Sequence, residues 1–96
     1  MKILALEKET PGVTGEMFKA HLVAETRRVW ELYTADVLRE IYFRQDRPEA
    51  VLVLECESVD AAGEVVATLP LVQAGLISFE LIPLGPYPGY GRLFRD

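Results

Sequence analysis

Three adjoining stretches decide the fold: Val37-Leu38-Arg39-Glu40-Ile41-Tyr42-Phe43-Arg44, the link Gln45-Asp46-Arg47-Pro48-Glu49, and Ala50-Val51-Leu52-Val53-Leu54-Glu55-Cys56-Glu57. The two outer runs are rich in β-branched and aromatic residues, and a polar link this short makes a hairpin. Two consecutive strands therefore occupy the middle of the chain, and the flanking segments settle the architecture. Upstream, residues 2–8 read as a strand and Pro11-Gly12 as a turn. Thr14 offers an N-cap, and Glu16 falls in the first turn, where the helix dipole favours an anion. Phe18, Leu22, Val29, Leu32 and Tyr33 then recur at helical spacing, predicting one long amphipathic helix to about Thr34. Downstream, Ser58 caps a second helix with Val59, Ala62, Val66 and Leu69 as its apolar stripe, Pro70 marks its end, and residues 76–84 form a last strand. The order βαββαβ is ferredoxin-like: an α+β fold with a four-stranded antiparallel sheet and two helices on one face.

A chain of 96 residues, 50% hydrophobic and 26% charged, suits one domain spanning residues 1–96. Ten Lys and Arg against 15 Asp and Glu leave a net charge of -5, which repels phosphate backbones and excludes nucleic acid as a partner. One cysteine cannot close an intramolecular bridge, which fits a reducing cytoplasm. Glu7, Lys8 and Glu9 interrupt the amino-terminal apolar run too early for a signal peptide, and no run approaches the ~20 residues of a membrane span.

Strand alternation predicts two unlike sheet faces. One parity collects Leu4, Leu6, Ile41, Phe43, Leu52, Leu54, Cys56, Ile77, Phe79 and Leu81, apolar enough to lie beneath the helices. The other mixes Ile3, Ala5, Leu38, Val51, Val53 and Ile82 with Glu7, Glu40, Tyr42, Arg44, Glu55 and Glu80. Such a face suits packing against the sheet of a second copy, so a homodimer or higher homo-oligomer is expected. Residues 83–96 add a tail rich in Pro and Gly that carries Tyr87, Tyr90 and Phe94. It reads as an interface arm, because three aromatics are costly to leave in water; the alternative is a frayed terminus.

The pattern resembles the muconolactone delta-isomerase-like branch of the dimeric α+β barrel superfamily. Ser58-Val59-Asp60-Ala61, running through Thr68-Leu69-Pro70-Leu71 into the last strand, carries the resemblance. Leu38-Arg39-Glu40-Ile41-Tyr42-Phe43 is similar to a strand in which the isomerases place an aromatic-Arg-His run; Arg39 matches and Glu40 does not. The resemblance implies two sheets closed into a barrel with a pocket in each subunit. It also implies a small carboxylate (an organic acid), lactone or aromatic compound as ligand, with isomerisation, cofactor-free oxygenation, haem-dependent chemistry or no known activity as the alternatives.

Moving a proton within a lactone needs a base that removes and returns it and a group that stabilises the enolate. On the mixed face, Glu40, Tyr42 and Arg44 occupy alternate positions of one strand, with Glu55 on its hairpin partner. Glu40 or Glu55 is then the base, Arg44 the partner of a substrate carboxylate and Tyr42 the oxyanion donor. The structural alternative is ion pairing across strands or across a dimer. His21 and Glu25, four apart on the first helix, form a second candidate acid/base pair, or else a helix-surface pair.

A single histidine and no cysteine cluster cannot supply the usual zinc ligands, and His21 would have to be the only histidine axial ligand of a haem, so no metal and no cofactor is expected. Cys56 reads as a small core residue, and Trp30, Tyr33, Phe43 and Phe79 as packing residues. Gly85, Gly89 and Gly91 lack the strand-to-helix turn and lysine of a phosphate loop. A non-catalytic ligand-binding or scaffold protein and a cofactor-free oxygenase are the readings that compete with an isomerase.

Overall fold

A computed structural model describes residues 1–95. Strand β1 (Lys2–Glu9) leads through a turn to helices α1 (Gly15–Lys19) and α2 (Leu22–Thr34), then to β2 (Leu38–Phe43) and β3 (Ala50–Glu55). Helices α3 (Val59–Val66) and α4 (Pro70–Gln73) precede β4 (Ile77–Leu84), and a 3₁₀ segment, Pro88–Phe94, follows. The strands form one antiparallel sheet in the order β2-β3-β1-β4, the ferredoxin-like arrangement expected.

The two helical regions are each broken where one helix was expected to run on. Between α1 and α2, His21 stands at the N-cap of α2 with no side-chain capping bond. Pro70 does not merely end a helix: it occupies the first turn of α4, where its missing N–H costs nothing. Ser58 caps α3 as expected, its Oγ accepting from the Ala61 N–H at 3.0 Å.

Helices α2 and α4 both end in the six-residue Schellman turn before delivering a strand. At α2, Asp36 donates its N–H to the Tyr33 carbonyl and Val37 to that of Leu32; at α4, Gly75 donates to Val72 and Leu76 to Leu71. The residue at the bend takes the left-handed conformation in each case, with φ of 63° at Asp36 and 75° at Gly75.

Register corrects the assignment of faces. Ile3 pairs with Leu54 and Ala5 with Leu52 across β1–β3, while Ala5 meets Leu81 and Glu7 meets Phe79 across β1–β4. The β1 side chains beneath the helices are therefore Ile3, Ala5 and Glu7, and Leu4 and Leu6 lie on the opposite face with Val51 and Val53. A bulge between Leu38 and Glu40 adds Arg39 as an extra residue, which carries Leu38 onto the helix side with Ile41.

The core sits between this face and the helices. Ile3, Leu38, Leu52, Leu54 and Leu69 are fully buried, joined by Leu32 of α2 and by Ala62 and Val66 of α3. Burying each of the large side chains is worth roughly 1.5–3 kcal/mol. Cys56 and Phe79 pack against this core as expected. Trp30 and Tyr33 do not: they are exposed and stack on each other, with ring centroids 5.6 Å apart. Phe43 is on the helix side but lies beyond the helical cover, with 70% of its surface exposed.

Candidate functional site

The helices leave one end of the sheet uncovered, and a cavity opens there. Its main chamber, about 510 Å³, is enclosed by Leu22, Glu25, Thr26 and Val29 of α2, Ile41, Tyr42 and Phe43 of β2, Ala50 of β3, Leu71 of α4 and Glu7 of β1. A second chamber of about 440 Å³ shares Glu7, Leu22, Phe43 and Leu71 and extends towards Glu9, Thr14 and Phe18. Most of the lining is apolar, and volumes of this size suit small organic ligands.

Glu7 is the only buried charged residue among those described, 9% exposed. Its Oε1 accepts the Ala50 N–H at 3.2 Å. Burial pushes its carboxyl up to about 6 from the ordinary 4.5; the Ala50 bond opposes the shift, and Glu49, Glu9 and Glu25 add to it. Glu25 reaches the cavity from α2, its Oε1 accepting the Leu71 N–H at 3.0 Å. Burial raises its carboxyl as well, against the opposing effects of the Leu71 bond and His21. The site thus pairs two carboxyl groups, each anchored by one backbone N–H and each disposed to hold a proton. That is equipment for acid/base chemistry.

The four sheet-face residues do not converge. Tyr42 donates its hydroxyl to Glu40 at 2.8 Å, and this bond raises the phenol's affinity for its proton. Arg44 turns back onto Asp46 in a two-pronged contact of 2.9 and 2.6 Å. Glu55 pairs with the Met1 amino group, which lowers its carboxyl. Of these four, only Tyr42 lines the cavity; of the second pair, Glu25 does and His21 does not. Among the described residues no group of three or more His, Cys, Asp and Glu side chains is arranged to hold a metal ion. No helix among them is long and apolar enough to cross a membrane.

Glu7 escaped the sequence reading because Ile3, Leu4, Ala5 and Leu6 are apolar on both parities. Either set can face the helices, and the larger leucines point to the wrong choice. The available signal was Glu7 itself, the first charge to continue the alternation of Ile3 and Ala5 in a strand whose residues 3–6 are apolar on both sides.

No family model and no curated protein sequence matches the chain. Solved structures do. A crystal structure of muconolactone isomerase superposes with a TM-score of 0.75 at 17% identity, covering 92% of this chain and 92% of that one. The 5-chloro-2-hydroxyhydroquinone dehydrochlorinase TftG of Burkholderia phenoliruptrix AC1100, in complex with 2,5-dihydroxybenzoquinone, gives 0.73 at 18% identity, covering 93% and 98%. With superpositions that take in more than nine-tenths of the chain, the resemblance carried by the second helix and its turn holds across the whole architecture: the chain has the muconolactone isomerase fold.

Proposed function

We propose that the chain binds a small cyclic carbonyl compound in the helix-side cavity and moves a proton within it, isomerising an unsaturated lactone or related molecule. The observation that supports this is Glu7: a carboxylate held in a ligand-sized apolar cavity with its proton affinity raised into the range of a working base. Glu7 takes a proton from the saturated carbon at one end of the carbonyl-conjugated system, leaving a dienolate and a neutral carboxyl. Return of that proton to the far end of the conjugated system shifts the double bond with no change in composition. Glu25, its proton affinity also raised by burial, is the second carboxyl facing the ligand, while the Tyr42 hydroxyl is held by Glu40. Glu40, Arg44, Glu55 and His21 belong to this proposal only as surroundings, since none of them lines the cavity.

The test is proton NMR of unsaturated lactones and their esters in D2O with the purified protein. Deuterium incorporation or double-bond migration that needs no oxygen and is lost in Glu7→Gln supports the reading. Exchange retained in Glu7→Gln but lost in Glu40→Gln moves the chemistry to the sheet face. Oxygen consumption identifies an oxygenase instead, and ligand binding without exchange identifies a binding protein.

A homo-oligomer is part of the same proposal, favoured by what the chain leaves in water. Tyr87, Tyr90, Leu93 and Phe94 are all at least 66% exposed, and Leu4, Leu6, Val51 and Val53 are half-covered on the open sheet face.

A further inference from the structure

We propose that the cavity selects uncharged ligands: a lactone, enone or phenol-sized ring enters, and the same ring bearing a free carboxylate is rejected. This rests on the reading of the helix-side cavity as the functional site and narrows its substrate class.

Recognition of a carboxylate needs an arginine or lysine, or backbone N–H groups free to donate. Among the described residues, neither chamber is lined by a lysine, arginine or histidine. The backbone donors beside the two carboxyl groups are already engaged, Ala50 on Glu7 and Leu71 on Glu25. Surrounding arginines are committed elsewhere: Arg47 to Glu49, Arg28 to Thr68 and Glu31, and Arg44 to Asp46. What the cavity offers instead is negative. Glu7 is nine-tenths buried and makes one hydrogen bond, through Oε1, leaving Oε2 to accept from a ligand. Glu25 adds a second carboxyl in the main chamber, and Glu9 lines the other. A ligand carboxylate set against these groups between apolar walls loses its water and meets like charge, with no cation to offset either cost. An uncharged ring with an O–H or an acidic C–H fills the same volume and donates to Glu7.

Muconolactone and its methyl ester share a ring and differ by one charge, so they form the probe pair. Titrating each into the intact protein at neutral pH, followed by calorimetry and by exchange in D2O, is expected to show the ester binding on the order of tenfold or more tightly. Glu7→Gln, and independently Glu25→Gln, should raise the acid's affinity towards that of the ester, since each substitution removes one negative charge and retains an acceptor for its backbone N–H. An acid that binds the wild-type protein as tightly as its ester overturns the selectivity and leaves the cavity reading in place. Neither compound binding or exchanging overturns the cavity reading together with the selectivity built on it.

Discussion

At Glu7 the requirements of folding and of chemistry pull in opposite directions. A carboxyl whose folded pKa is about 6 against an ordinary 4.5 binds its proton more tightly in the native state than in the unfolded chain. The native state therefore carries more protons between those values, and the stability contributed by protonated Glu7 is lost as pH rises through that window. By the shift, the ionised residue costs about 1–2 kcal/mol near neutral pH. Glutamine keeps an oxygen for the Ala50 N–H and removes the charge. Glu7→Gln should therefore raise the thermal midpoint at pH 7 by several degrees, with the gain vanishing below about pH 4.5, while proton exchange is abolished. Thermal melts of both proteins across pH check this, and a variant less stable at neutral pH would show that Glu7 is structural. A neutralised carboxylate that stabilises the protein as it silences the reaction is what a retained functional group predicts.

At the scale of elements, two copies of one turn make a matched experiment. The Schellman turns after α2 and α4 have the same hydrogen bonds, but the left-handed residue is Asp36 in one and Gly75 in the other. An L-residue with a side chain pays about 1 kcal/mol there, less for Asp than for most, and glycine pays no steric cost. Asp36→Gly is expected to stabilise the protein by about 0.5 kcal/mol and Gly75→Ala to destabilise it by about 1 kcal/mol, read from urea midpoints. No neighbouring atom lies within 4 Å of a Cβ placed at Gly75, so the second effect isolates backbone strain from crowding. The elements themselves were legible from local chemistry: Ser58 as a cap, the hairpin and the last strand stand where their residues place them. The single long helix expected to about Thr34 is two helices, since periodicity does not register a turn that opens at Ala20 and His21. The parity of β1 was not legible, because both of its faces are apolar and only pairing with Leu52, Leu54 and Leu81 decides between them.

For the whole molecule, the dominant fact is how much extends beyond the core. The radius of gyration is 15.8 Å and the longest extent 60 Å, against roughly 13 Å expected for a compact domain of about this length. The tail adds Tyr87, Tyr90 and Phe94 to the aromatic surface that Trp30, Tyr33, Tyr42 and Phe43 leave in water, and Tyr87 and Tyr90 pack edge to face on each other, 5.1 Å apart. The last residue of the expected arm, Asp96, lies outside the described residues. Light scattering at micromolar concentration should give at least a dimer, and deleting residues 86–96 should lower the oligomeric state or its affinity. A wild-type monomer would remove the homo-oligomer from the proposal, and an unchanged oligomer after truncation would assign the contact to the sheet face alone.

The amino-acid sequence alone determined the βαββαβ order, the antiparallel α+β class and the acidic character of the chain, because these depend on local periodicity, turn residues and composition. Tertiary structure alone decided which carboxylates meet. Glu7 and Glu25 are separated in the chain by a turn and α1, and no local pattern says that they come together. Their shared cavity exists because β1 pairs in one register rather than the next, and a shift of one residue in a strand reverses the side to which every side chain points.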